Sequence, residues 1–89
     1  MPEICRFLGI IIRMFYNDHA PPHFHAFYGE FKAVIDISTN RVIEGKMPKA
    51  QLQKIESWCK IHRNELLENW ERIRAHEKPY AIKPYEIEE

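Results

Sequence analysis

The 89-residue sequence has no net charge, because thirteen Lys and Arg balance thirteen Asp and Glu. That balance removes the global field that would favour wrapping on DNA or lying on a membrane surface. No apolar run approaches the ~20 residues that a membrane span needs. The only two cysteines, Cys5 and Cys59, form no CxxC or other ligand spacing. A disulfide framework and a cysteine-based zinc site are therefore excluded, and with no signal-peptide pattern the reading is a reduced, cytoplasmic protein. Only three glycines are present, so each is informative as a turn or a bend. Internal repeats are lacking, and Glu86-Ile87-Glu88-Glu89 is the sole low-complexity stretch. The length suits one domain, which at this size buries only ~60–65% of its unfolded surface and gains from a partner.

What is present is a pattern of strands followed by helices. Residues 4–16 are rich in β-branched and aromatic types, interrupted only by Gly9. They predict one long bent strand or two short ones. A loop of Asn17, Asp18, His19, Ala20, Pro21 and Pro22 follows, stiffened by its two prolines. Gly29-Glu30 between His23–Tyr28 and Phe31–Ile37 is a type II′ hairpin signal. That register pairs Phe24 with Ile35 and Ala26 with Ala33 on a core face. On the opposite face it pairs His23 with Asp36, His25 with Val34 and Phe27 with Lys32. A three-residue loop over Ser38, Thr39 and Asn40, with Asn in the left-handed region, then sets Ile43 across from Ile35 and Glu44 beside Val34.

After Gly45, Pro48 suits the first turn of a helix whose stripe is Leu52, Ile55, Cys59 and His62, flanked by Trp58 and Ile61. Asn64 is the expected N-cap of a second helix carrying Leu66, Leu67, Trp70 and Ile73. The expected fold is therefore α+β: an antiparallel meander of about four strands, packed on one face by two consecutive C-terminal helices. The domain is expected over residues 1–75, and residues 76–89 form an extended Pro/Tyr/acidic tail.

The chemistry concentrates in His19-Ala20-Pro21-Pro22-His23-Phe24-His25, which holds three of the five histidines. His23 and His25, two apart on a strand, project to one face with Cβ atoms ~7 Å apart. As metal ligands they would be joined by His19, with Asp36 or Glu44 completing a site for zinc. As acid–base groups, His23 would be oriented by Asp36, with His25 as its counterpart and Arg13 or Lys32 as the cation. Those parts suffice for metal-free cleavage of RNA. The bland alternative is a set of half-buried sheet histidines, or a surface that docks another protein. For Trp58, Trp70 and the Leu/Ile stripes, core packing is the expected role.

The same residues carry a resemblance. Gly9-Ile10-Ile11-Ile12-Arg13-Met14, Asn17-Asp18-His19, Pro21-Pro22-His23-Phe24-His25-Ala26, Ile43-Glu44-Gly45-Lys46 with Pro48, and His62-Arg63 through Glu65-Leu66-Leu67 to Asn69-Trp70-Glu71 resemble the small bacterial family termed domain of unknown function 4160. The resemblance spans residues 1–75. It implies a gene set beside one of unknown-function family 2442, in a pair like a toxin–antitoxin module with this chain as the toxin. The matching positions are Arg13, Asp18, His19, His23, His25, Glu44 and Trp70. The expectation is a toxin inhibited by a cognate antitoxin and acting on RNA. His23, His25, Asp36 and Arg13 are its catalytic candidates, and Asp18, His19, Lys32 and Glu44 its binding candidates. A homo-oligomer is compatible with this reading, no cofactor is required, and the alternative is a non-catalytic or metal-stabilised binding module.

Overall fold

The computed structural model describes residues 2–16 and 18–85. Asn17 and the acidic stretch Glu86–Glu89, both singled out from the sequence, lie outside the described residues. Among the described residues, five strands run in chain order: β1 (Glu3–Phe7), β2 (Ile10–Arg13), β3 (His23–Tyr28), β4 (Phe31–Asp36) and β5 (Val42–Lys46). Two helices follow, α1 (Lys49–Ile61) and α2 (Arg63–Arg74). The fold is α+β, and its sheet is an antiparallel meander in which each strand pairs only with its sequence neighbours.

The fifth strand comes from a turn at Leu8-Gly9, which makes two short strands, and not one long bent one, of the apolar run. Leu8 and Gly9 both take positive φ, 50° and 80°. This is the backbone of a type I′ turn, and it folds the apolar run into β1 and β2 with Phe7 opposite Ile10. The β3–β4 hairpin has the expected register, from Tyr28 opposite Phe31 to His23 opposite Asp36. Its turn has Gly29 at φ 58°, while Glu30 stays at negative φ, as a type II′ turn requires.

The β4–β5 connection departs from expectation. Asn40 is left-handed as expected, at φ 63°, but Asp36 N–H donates to the Arg41 carbonyl at 2.9 Å and closes a longer loop. A register irregularity follows, so Ile35 faces Val42 and not Ile43, while Glu44 does lie opposite Val34. Ile43 is left 49% exposed. Gly45, at φ 83°, runs so close to the Lys32 carbonyl that a Cβ there would collide with backbone.

One sheet face makes the core. Ile10, Ile12, Phe24, Ala26, Ala33 and Ile35 are fully buried on it, and burying each of the larger ones contributes on the order of 1.5–3 kcal/mol. Helix α1 lays Ile55, Trp58 and Cys59 on this face, with the Trp58 ring 5.4 Å from Phe7 and 5.8 Å from Phe24. Trp58 is thus central to the stripe, and Ile61, at the last turn of α1, is 74% exposed. Helix α2 contributes Leu66, Asn69, Trp70 and Ile73. Its boundary residue is His62, so Asn64 sits inside the first turn and does not cap it. The His62 ring Nδ1–H donates to Glu65 Oε1 at 2.6 Å instead.

The chain beyond α2 is part of the packed unit, so the division at Ala75 does not separate a tail from the domain. Asn69 donates through Nδ2 to the Tyr80 carbonyl and accepts from Tyr80 N–H, both at 2.8 Å. The Trp58 indole N–H donates to the Lys83 carbonyl at 2.7 Å. Ile82, buried, joins the core and donates its N–H to the Ile4 carbonyl at 3.1 Å. Among the described residues, no helix is long and apolar enough to cross a membrane.

Candidate functional site

The strand pleat sends Phe24 and Ala26 into the core and leaves His23 and His25 on the other face of β3. Around them that face is covered. Trp70 from α2 packs on the His23 ring with centroids 5.0 Å apart, and Phe15 meets His25 edge-on at 4.4 Å. His23 is only 8% exposed as a result. The two imidazoles lie 5.3 Å apart, centroid to centroid.

The carboxylate that reaches them is Asp18, from the loop that joins β2 to β3. Asp18 Oδ2 lies 3.1 Å from His23 Nε2 and 3.0 Å from His25 Nε2. The loop folds back over the start of β3 through Ala20, Pro21 and Pro22. The Pro21 carbonyl is brought to 2.7 Å from His23 Nδ1. A carbonyl oxygen only accepts, so Nδ1 carries a proton and donates it there. Both nitrogens of the His23 ring are thereby engaged within the protein.

Asp36 lies opposite His23 in the register, as expected, but its carboxylate is spent locally. Its Oδ1 accepts the backbone N–H groups of Ser38 and Thr39, at 2.8 and 3.1 Å. This is the turn-forming use of Asp, and it removes Asp36 as the group that orients His23. Arg13 does belong to the neighbourhood. It pairs with His25 across β2 and β3, its guanidinium lies 5.5 Å from the Phe27 centroid, and its buried Nε has no hydrogen-bond partner among the described residues.

Three other candidates lie outside the cluster. His19 is exposed on the loop and does not join Asp18, His23 and His25. Lys32 and Glu44 are exposed, opposite Phe27 and Val34. His19 instead lines a cleft of about 400 Å³ with Tyr16, Asp18, Ala20 and Arg74. Asp18 is thus shared between the imidazoles and this cleft. Tyr16 stacks on His76 at its edge, with centroids 6.2 Å apart and planes 10° from parallel.

Thiolate chemistry has no place here. Burial pushes the thiols of Cys5 and Cys59 up to about 11, so both stay protonated at neutral pH. The sequence reading missed the part Asp18 plays in holding the histidines together. Its only sequence signal was an acid within a short, proline-stiffened loop ahead of the H-x-H strand. Arg74 was missed altogether, because a cation at a helix end is usually an ordinary solvated residue.

A small antiparallel meander backed by two helices, with two strand imidazoles converging on one loop carboxylate, defines the architectural class. The chain belongs to the family described as domain of unknown function (DUF4160), which matches residues 9–71. That span holds all three residues of the cluster and Trp70. No curated protein and no solved structure matches the chain.

Proposed function

We propose that this domain is the toxin of a bacterial two-gene toxin–antitoxin pair, held inactive by direct binding of its antitoxin, a protein of unknown-function family 2442. We assign its action on RNA to the Asp18–His23–His25 cluster and the adjoining cleft. The observation that carries this reading is the convergence of both imidazoles on one carboxylate oxygen, at 3.0 and 3.1 Å. Asp18 also opens onto a cleft with His19 and Arg74 in its lining.

A phosphodiester is an anion, and the Arg74 guanidinium suits it as a fork of donors. The stacked pair of Tyr16 and His76 offers a flat aromatic surface of the kind on which an unpaired base stacks. In this reading the cluster acts as a unit and supplies the reactive centre, His19 and Arg74 hold the phosphate, and Arg13 supports His25 from the neighbouring strand. Asp18, and not Asp36, is the carboxylate that orients His23 in this reading, since Asp36 accepts the N–H groups of Ser38 and Thr39.

Induced expression in a bacterial host tests the proposal. Wild type is expected to arrest growth and fragment cellular RNA, and His25→Ala to do neither while expressing at the same level. Co-expression of the neighbouring family 2442 protein is expected to restore growth. Normal growth with intact RNA in wild type would defeat the reading and favour a module that uses this face only for docking.

A further inference from the structure

We propose, taking the cluster as the working site, that Asp18, His23 and His25 bind one divalent first-row transition-metal ion. The Pro21 carbonyl holds the proton on His23 Nδ1, so in the neutral ring the Nε2 lone pair points outward. That lone pair faces Asp18 Oδ2 at 3.1 Å. Two lone-pair atoms at such a distance are held together either by a second ring proton or by a metal ion. His25 Nε2 approaches the same oxygen at 3.0 Å, and all three ligand atoms lie within 4.8 Å of one another. A proton on each ring would join each imidazole to Asp18 separately, whereas one ion is held by all three atoms together, two from β3 and one from the preceding loop.

The distances fit that ion. Two ligand atoms each about 2.1 Å from a shared metal lie about 3.0 Å apart at a right angle and about 3.4 Å apart at the tetrahedral angle. A backbone carbonyl on the far nitrogen is also how a metal-binding histidine is held in its tautomer and orientation. Trp70 and Phe15 fix the two rings from the sides. The three protein ligands leave coordination positions toward the cleft at Asp18, where water or a substrate oxygen can enter.

Two imidazoles and one carboxylate select ions such as zinc, iron(II), cobalt(II) or manganese(II). They disfavour copper(I), which wants sulfur, and calcium or magnesium, which want oxygen alone. Both cysteines are buried in the core formed with the helices and offer no competing thiolate.

The test uses purified protein stripped with a chelator and then titrated with cobalt(II), read by visible absorption, and with zinc, read by calorimetry. One equivalent per chain is expected, with a rise in melting temperature on loading. Asp18→Asn and His25→Ala should each weaken binding more than about tenfold, while His62→Gln, outside the cluster, binds as wild type does. His23 is packed under Trp70, so the test does not depend on replacing it. Circular dichroism confirms that each variant is folded.

Failure of wild type to bind either ion stoichiometrically would overturn the proposal, as would unchanged binding by folded His25→Ala. The cluster would then be an ion pair only. Neither titration uses RNA or a partner. Metal binding without growth arrest leaves this proposal standing and removes the toxin reading. Arrest that depends on His25 without metal binding does the reverse.

Discussion

Leu8 shows how much can hang on one backbone angle. It occupies the left-handed region at φ 50°, where an L-residue with a Cβ is strained by roughly 1–2 kcal/mol, and its side chain is 47% exposed. Asn tolerates that conformation, so Leu8→Asn is expected to stabilise the protein by about 1 kcal/mol, read as a higher melting temperature. The cysteines give a second residue-scale prediction. Their folded-state values, raised by burial to about 11 from the ordinary 9.0, mean that the folded protein holds these protons more tightly than the unfolded chain. Their contribution to stability is fully present below about pH 9 and is lost as pH rises through 11. Denaturation midpoints measured across that window should fall, and Cys5→Ser/Cys59→Ser should flatten the fall. At pH 8 both thiols should resist alkylation until the protein is unfolded.

At the scale of elements, the stretch beyond α2 is held by hydrogen bonds from residues far from it in sequence. Asn69 is fully buried and satisfies both the N–H and the carbonyl of Tyr80. Removing its amide in Asn69→Ala leaves those groups without their partner and should cost about 1–3 kcal/mol, measured by urea denaturation. Where an element is set by local chemistry, it was legible beforehand. Gly29-Glu30 and the alternation around it specify the β3–β4 hairpin to the residue, and Asn40 marks the β4–β5 turn by tolerating the left-handed region. The β1–β2 turn was half legible: Gly9 marked the bend and two short strands were one of the two expected readings, whereas Leu8 carries no turn signal of its own. The site divides in the same way. His23 and His25 share a face by strand periodicity alone, whereas Asp18 reaches them through a loop path that no periodicity encodes. Asp36 misled because register fixes where a Cα sits, and not which hydrogen bond its carboxylate then makes.

For the whole molecule, the arrangement separates a packed side from a chemical side. The helices and the extended stretch close over one sheet face, while the β2–β3 loop and Trp70 frame the histidines. Helix α2 serves both, with Ile73 and Leu66 in the core and Trp70 against His23. A substitution that loosens α2 should therefore disturb the cluster without touching it. The bond from Ile82 N–H to the Ile4 carbonyl has a different bearing, on the order of events during synthesis. Strand β1 is made before residues 82 and 83, yet its outer edge and the Trp58 indole wait for them. A nascent chain halted after α2 has every residue of the cluster but an unfinished fold. In the proposed pairing, an antitoxin that gripped such a chain would engage it before residues 82 and 83 complete the fold.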